Sequence, residues 1–204
     1  NSGEYKVMGL APYGEPKYAK LIKDNLIDIK EDGSFSLNMS YFNYCTGLTM
    51  TNEKFDDLFG GPPRKPESII TQRDMDLAAS IQTVIEEIII KLAKGIAKIS
   101  GQKNLCLAGG VALNCVANGK ILRDKAFKDI WIQPASGDAG GALGGALAVW
   151  HKELNKSRAV NPKDSMKGSY LGPIYDQDTI EKELSECGAI FDVVNEDEMF
   201  EQAS

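Results

Sequence analysis

The sequence predicts an α/β fold in which helices flank a mixed sheet that contains a pair of parallel strands. The first observation is an amphipathic helix pattern over residues 73–99. The second is a strand–helix–strand–helix order over residues 104–154, with connections of only a few residues. Such connections place consecutive strands side by side in parallel and gather the loops that follow them at one edge of the sheet.

Short, turn-rich elements are expected before the long helix. The pattern predicts a helix near residues 16–23 and a β-hairpin over residues 26–39, where apolar residues flank the Asp32–Gly33 turn. Residues 60–68, GGPPRKPES, contain three prolines, which lack a backbone donor. This segment is therefore predicted to be a surface loop.

The long helix pattern carries apolar residues at spacings of three and four. Such spacings place residues on one face of a helix. We interpret this face as core packing and assign it no role in chemistry. Its residues are Ala78, Ile81, Ile85, Ile88, Leu92, Ile96 and Ile99.

The parallel strands are expected over residues 104–108 and 127–134. A helix from about residue 112 to residue 123 follows the first strand, and a small-residue loop leads from the second strand into another helix. The glycines of that last helix are predicted to allow close packing against a neighbour. They are Gly140, Gly141, Gly144 and Gly145.

Three parts of the chain differ in composition. Residues 1–155 are predicted to form one domain, and residues 156–168 a polar linker. Residues 169–204 predict a capped helix, a strand and the start of a second helix, which we interpret as the beginning of a C-terminal domain. The chain begins with Asn1 rather than Met, and we expect it to be part of a longer protein.

Charge and cysteine content exclude some classes of protein. The formal net charge of −6 and sequence pI of about 4.9 provide no electrostatic attraction to nucleic acid or to an anionic membrane. The four cysteines form no CxxC pair, and no apolar run is long enough to span a bilayer. We therefore expect a cytoplasmic protein that binds neither nucleic acid nor membrane. The sequence does not indicate its oligomeric state.

Gly109 and Gly110 directly follow the first parallel strand. Glycines there let a ligand approach the backbone, and the helix that follows offers free N–H groups, which suits a nucleotide. The pattern matches neither the dinucleotide-binding glycine motif nor the P-loop, and close packing of helix on strand explains the glycines equally well. Asn114 carries both a donor and an acceptor for a sugar or base edge, and a helix cap is its alternative role.

Other polar residues carry weaker signals. Asp138 follows the second parallel strand among small residues, and spacing alone favours an N-cap, worth about 1 kcal/mol, over a metal ligand. Glu4 and Lys6 suit a ribose hydroxyl and a phosphate, although charge pairs near a terminus are usually solvated. His151, the sole histidine, is expected on the surface. No catalytic triad or multi-histidine metal site can be assembled, and the catalytic residues stay unknown.

Three segments, in this order, resemble the O-carbamoyltransferases of the nodulation-protein and cephamycin-biosynthesis type. They are EYKVMGLAPYGEP (residues 4–16), LCLAGGVALNCVANGKIL (105–122) and IWIQPASGDAGGALGGAL (130–147), and the long helix pattern lies between the first two. The likeness covers most of residues 3–150. In addition, YLGPIYDQDTIEKEL (170–184) resembles the start of that family's C-terminal region.

The resemblance implies the C-terminal lobe of an actin-like ATPase (ASKHA) domain. It also implies that, in the full protein, a domain similar to the one that makes the acyl-adenylate follows this domain. In such enzymes carbamoyl phosphate and ATP give carbamoyl-adenylate, and the actin-like domain then passes the carbamoyl group to a hydroxyl of a small-molecule or sugar acceptor. The residues that the likeness places against the nucleoside are Gly109, Gly110 and Asn114. It also places Glu4 and Lys6 near ribose and phosphate, and it makes Asp138 a ligand of an iron-type divalent metal.

The sequence also departs from the family pattern. The family's metal histidines and first phosphate loop belong to an N-terminal lobe that this sequence does not contain, so we expect an incomplete metal site and an inactive chain. Two alternatives remain open: a sugar-kinase-like ATP-binding lobe of the same broad fold, and a non-catalytic interaction module in which the glycines serve packing only. The sequence does not identify the acceptor.

Overall fold

The structure is a computed structural model that describes residues 4–160 and 166–203, without the side chains of residues 4, 5 and 167. The chain divides into two units, one ending at Ser157 and the other beginning at Arg158. In the described part of the chain, no helix combines the length and the apolar character that crossing a membrane requires.

The first unit begins with short helices and a hairpin. Helix α1 (Glu4–Leu10) runs into a 3₁₀ turn, and helix α2 (Ala19–Asn25) leads into strands β1 (Ile27–Ile29) and β2 (Phe35–Leu37). The strands pair antiparallel with Ile27 opposite Leu37, which confirms the predicted hairpin. A short helix α3 (Glu53–Leu58) precedes the proline-rich loop.

Helix α4 (Gln72–Ser100) is the longest element and confirms the predicted long helix. Its first turn is fixed by Asp74, whose carboxylate accepts a hydrogen bond from the Thr71 backbone N–H at 2.8 Å. It ends at Gly101, which adopts the left-handed conformation that glycine tolerates (φ 63°).

The face that α4 buries differs from the predicted apolar stripe. Ile81, Ile96 and Ile99 of that stripe are exposed. Four polar residues of α4 are buried instead, because the segments packed on them supply hydrogen-bond partners. They are Asp76, Ser80, Gln82 and Glu86.

Asp76 attaches the loop after α1 to the beginning of α4. Its carboxylate accepts hydrogen bonds from the Glu15 backbone N–H (2.9 Å), the Lys17 ammonium (2.8 Å) and the Gln72 amide (2.8 Å). The Glu15 N–H and then the Lys17 ammonium favour the charged form and lower the pKa of Asp76 to about 2. The ionised carboxylate therefore holds this loop in place.

The parallel pair lies beyond α4. Strands β3 (Asn104–Leu107) and β4 (Asp129–Ile132) pair in parallel with Asn104 opposite Asp129, as predicted. Between them, a 3₁₀ turn (Gly110–Leu113) precedes helix α5 (Cys115–Asp124). Helix α5 begins later than predicted because the 3₁₀ turn occupies the positions expected for its first turn.

The α/β class is confirmed, but the described strands form two separate two-stranded sheets rather than one mixed sheet. Helix α4 explains the separation, since each pair packs on a different part of it. Ile88 of α4 belongs to the cluster that Ile27 of the hairpin contacts, whereas Ala93 belongs to the cluster that Leu105 and Ile130 of the parallel pair contact.

Helix α6 (Gly140–Ala148) follows β4 and continues into a π-helical turn (Val149–Glu153). The prediction of close glycine packing holds for Gly140, where an added Cβ would lie 2.3 Å from the Ala135 carbonyl oxygen. It is wrong for Gly141, Gly144 and Gly145, where an added Cβ would have no neighbour within 4 Å in the part of the chain that the structure describes. Residues 141–150 are exposed, which leaves these three glycines without a packing partner among the described residues.

The second unit contains helices α7 (Gln177–Glu186) and α8 (Glu196–Ala203). The predicted cap of α7 is confirmed, since Asp176 accepts a hydrogen bond from the Thr179 backbone N–H at 2.9 Å. The strand predicted between the helices is wrong: residues 189–195 form no strand. An extended segment needs a neighbouring strand for its backbone groups, and the described residues of this unit provide none.

Candidate functional site

Two loops meet where β3 and β4 end. The Gly109 backbone N–H donates to the Ser136 carbonyl oxygen at 2.6 Å, and the Gln133 N–H donates to the Leu107 carbonyl oxygen at 3.1 Å. An added Cβ on Gly137 would lie 4.0 Å from the Gly110 Cα. The parallel pairing thus brings the Gly109–Gly110 turn beside the loop that carries Asp138.

Gly109 and Gly110 border open space. Gly109 has a φ of 104°, a conformation that side-chain-bearing residues rarely adopt. An added Cβ on either glycine would meet no described atom within 4 Å. Packing of a neighbouring element among the described residues therefore does not explain these glycines, and this part of the structure leaves their backbone open to a ligand. Contact with a nucleoside stays a prediction.

Asn114 caps helix α5 and pairs with α4. Its Oδ1 accepts a hydrogen bond from the Ala117 backbone N–H at 3.1 Å, which is the capping role considered for it. Its Nδ2 also donates to Gln82 Oε1 at 2.9 Å, and Gln82 Nε2 donates back to Asn114 Oδ1 at 3.2 Å. Asn114 therefore already holds structural partners at the position where a nucleoside contact is predicted.

Gln82 is a site residue that the sequence pattern did not identify. It is buried within α4, and its Nε2 also donates to Glu86 Oε1 at 2.8 Å. Lys120 of α5 pairs with the other carboxylate oxygen of Glu86. The sequence does contain one signal: two polar residues, Gln82 and Glu86, lie four residues apart beside the apolar stripe. Periodicity alone does not show which residues such a pair contacts.

A cavity of about 320 Å³ adjoins this carboxamide pair. Gln82 and Asn114 are the polar side chains among the described residues that line it, and Gly110 contributes backbone. The remaining lining residues are apolar and come from α1, α4 and the 3₁₀ turn. They are Val7, Met8, Ile81, Ile85, Val111 and Leu113.

The predicted ribose and phosphate residues lie on α1. Lys6 is exposed and directly precedes Val7, which lines the cavity. Glu4 begins α1, and its side chain lies outside the described residues. The structure thus places the helix that carries both residues beside the glycine turn.

Asp138 is exposed in the loop after β4. Helix α6 begins at Gly140, and its N-cap is Ala139, with no capping hydrogen bond from a side chain. The cap role that spacing favoured is therefore not the one that the structure shows. Within residues 4–160 and 166–203, no three His, Cys, Asp or Glu side chains form a group able to hold a metal ion. His151 lies partly exposed, with Nδ1 2.9 Å from the Lys156 carbonyl oxygen.

Ser136 is a second residue of this site that the sequence pattern does not identify. Ser136 is 6% exposed. Its Oγ has no hydrogen-bond partner among the described atoms. Its carbonyl oxygen accepts the hydrogen bond from Gly109, so the residue joins the two loops. A serine among small residues gives no sequence signal that distinguishes it from an ordinary loop residue.

The structure is that of an α/β protein, and its glycine turn and the adjoining cavity lie where the parallel strands end. Open α/β sheets bind their ligands at that edge. Residues 1–147 match the family model described as carbamoyltransferase N-terminus. The chain therefore belongs to the carbamoyltransferase family, as the resemblance of its three motifs predicted.

Relatives match nearly the whole chain. It is 60% identical over 202 residues to an uncharacterized protein of Synechocystis sp., a match that covers 98% of this chain and 33% of that protein. It is 35% identical to nodulation protein NolNO of Sinorhizobium fredii and 33% identical to nodulation protein NolO of Bradyrhizobium diazoefficiens. Those matches cover 98% of this chain and 28% and 34% of the two proteins, respectively. The chain thus spans about a third of the length of these relatives.

Proposed function

We propose that the chain is the nucleotide-binding lobe of an actin-like ATPase domain in an ATP-dependent O-carbamoyltransferase. In this reaction carbamoyl phosphate and ATP give carbamoyl-adenylate, whose carbamoyl group passes to a hydroxyl of a small-molecule or sugar acceptor. Family membership supports the transferase class. Because the chain spans about a third of its relatives, we propose the activity for the whole protein rather than for these residues alone.

The open glycine turn is the observation that carries this proposal. Gly109 holds a backbone conformation suited to glycine. Among the described residues, no atom lies close enough to Gly109 or Gly110 for packing to require a glycine. The turn leads directly into the cavity beside Asn114. An apolar cavity with a few polar groups and open backbone is typical of a site for a small molecule or cofactor.

Each predicted binding residue takes a role in this arrangement. The adenosine lies against Gly109 and Gly110, with its base in the apolar cavity that Asn114 borders. Lys6 and Glu4, on the helix beside the cavity, take the phosphate and the ribose. A Lys ammonium offsets the negative charge of a phosphate and donates hydrogen bonds to its oxygens.

The transfer step forms one bond and breaks another. The acceptor hydroxyl oxygen attacks the carbamoyl carbon, the bond from that carbon to the adenylate phosphate oxygen breaks, and AMP leaves with the bonding electrons. The hydroxyl proton passes to a base. We assign no catalytic base within the described residues, and this lobe contributes nucleotide binding and orientation.

The iron-type metal predicted at Asp138 is only partly supported by the residues present. The Asp138 carboxylate is exposed and therefore accessible to a metal. No group of three ligating side chains surrounds it in the described part of the chain, so these residues alone do not build a metal centre. Asp138 would contribute one oxygen ligand to a site completed elsewhere, and we derive no reaction step from that metal.

The release of pyrophosphate by the full-length protein tests the proposal. We expect release from ATP that depends on carbamoyl phosphate and needs no acceptor, because it reports formation of the adenylate. ADP formation that depends on a sugar instead would support the kinase-like alternative. If the protein forms neither pyrophosphate nor ADP and does not bind ATP, the result would support an interaction module and refute the proposal.

A further inference from the structure

We propose that Gln82, acting with Asn114, makes the cavity specific for a 6-aminopurine over a 6-oxopurine. The inference rests on the proposed function, because it takes a nucleoside as the occupant of the cavity. It adds a specificity-determining residue, Gln82, that the motif comparison did not indicate.

The two carboxamides leave one donor and one acceptor unused among the described residues. A carboxamide offers two N–H hydrogens and two acceptor positions on its oxygen. Asn114 Oδ1 accepts from the Ala117 N–H and from Gln82 Nε2, which fills both of its positions. Gln82 Nε2 donates to Asn114 and to Glu86, which uses both of its hydrogens. One hydrogen on Asn114 Nδ2 and one acceptor position on Gln82 Oε1 remain.

These unused groups lie next to each other. The two amides donate to one another, so the second hydrogen of Asn114 Nδ2 and the second acceptor position of Gln82 Oε1 fall at the same end of the pair. The nitrogen and the oxygen are 2.9 Å apart. Both residues line the cavity, whose other described side chains are apolar. The proposal places this adjacent donor and acceptor on the otherwise apolar wall of the cavity.

The surrounding groups fix which atom donates and which accepts. An ionised carboxylate only accepts hydrogen bonds, so Glu86 requires the nitrogen of Gln82 to face it. Lys120 forms an ion pair with the other carboxylate oxygen of Glu86. The Ala117 N–H only donates, so it requires the oxygen of Asn114. Neither carboxamide group can rotate to exchange the positions of its nitrogen and oxygen without losing one of these hydrogen bonds.

Adenine matches this fixed pattern. Its ring nitrogens N1 and N7 are acceptors, and each lies beside the N6 amino donor. In a nucleotide whose base is oriented by the ribose and phosphate contacts proposed for α1, a 6-oxopurine places an N–H and a carbonyl where adenine places its N1 acceptor and N6 donor, which reverses the pattern. At its N7 edge it presents two acceptors. Sites built to hydrogen-bond one group reject analogues that leave the site's own polar atoms unpaired.

The affinities of the full-length protein for ATP and for inosine triphosphate, measured by isothermal titration calorimetry, test this inference. The wild-type protein should bind ATP about 10- to 100-fold more tightly, the range expected when buried hydrogen bonds are left unpaired. Gln82→Met keeps an unbranched side chain of similar length but removes the acceptor, and it should bring the ratio of the two affinities close to one. Gln102→Met, at an exposed position beyond α4, should leave the ratio unchanged.

A second variant keeps the test decisive if Gln82→Met does not fold. Glu86→Gln retains the size of the side chain, but its amide can donate a hydrogen bond as well as accept one. The Gln82 carboxamide can then rotate to exchange its nitrogen and oxygen, and the preference for ATP should fall. Equal wild-type affinities for the two nucleotides, or an unchanged ratio in Glu86→Gln, would overturn the inference while leaving the proposed function intact. Wild-type protein that binds neither nucleotide would refute the proposed function and this inference together.

Discussion

Asn114→Ala should destabilise the first unit as well as weaken nucleotide binding. The substitution removes the N-cap of α5, where the Asn114 oxygen accepts from the Ala117 N–H, at a cost of about 1 kcal/mol. It also removes the hydrogen-bond partner of Gln82 Oε1. Gln82 is 9% exposed, and an unpaired buried polar group costs about 1 to 3 kcal/mol. We therefore expect the free energy of unfolding to fall by about 2 to 4 kcal/mol.

Urea unfolding followed by far-UV circular dichroism measures this loss. Asn114→Ser is the matched control, because serine is as good an N-cap as asparagine. Serine has no carboxamide and therefore cannot form the paired hydrogen bonds with Gln82. It should recover about 1 kcal/mol of the loss. A double-mutant cycle with Gln82→Ala should show coupling between the two side chains. An Asn114→Ala loss within about 0.5 kcal/mol, the range of ordinary surface substitutions, would refute the importance of the cap and the amide pair.

Three further predictions concern other parts of the first unit. Gly95→Ala should lower the midpoint of urea unfolding, because its Cβ would lie 2.7 Å from a backbone oxygen of the hairpin turn. Gly119→Ala should not lower it, because the nearest described atoms to its Cβ belong to the flexible end of an arginine side chain. A lower midpoint for both would contradict this contact. Asp76 has a pKa of about 2, below its usual 3.8, so its contribution to stability should be present above about pH 4 and be lost as the pH falls toward 2. Asp76→Asn should remove this part of the pH dependence, and an unchanged acid-unfolding profile would argue against it. Asp138→Asn in the full-length protein should leave the melting temperature of metal-free protein nearly unchanged while metal content and carbamoyl transfer fall together, and full transfer activity would reject the ligand role.

Local patterns in the sequence predict much of the fold. Alternation around Asp32–Gly33 gives the hairpin, and spacings of three and four give α4. The short connections give the parallel register of β3 and β4. Each of these signals lies within one segment or between neighbouring segments. The separation of the two sheets depends on how both pack against α4, and periodicity within a strand carries no information about that.

The candidate site divides in the same way. Glycines after a strand mark the turn at Gly109, because the backbone conformation is a local property. The sequence does not predict the role of Gln82, because its partner Asn114 is 32 residues away. A buried amide on a helix also has no distinguishing sequence pattern. The capping role considered for Asp138 failed because α6 begins at Gly140. One or two residues decide which side chain reaches a helix end, and sequence patterns place helix ends less accurately than that.

Amide hydrogen exchange of residues 105–122 in the full-length protein, with and without ATP, tests the proposed nucleotide site most directly. ATP should slow exchange in the Gly109–Gly110 turn and the first turn of α5, while helix α7 of the second unit serves as the internal reference. Unchanged exchange over residues 105–122 at an ATP concentration that saturates the protein would show that the nucleotide binds elsewhere and would contradict the central proposal.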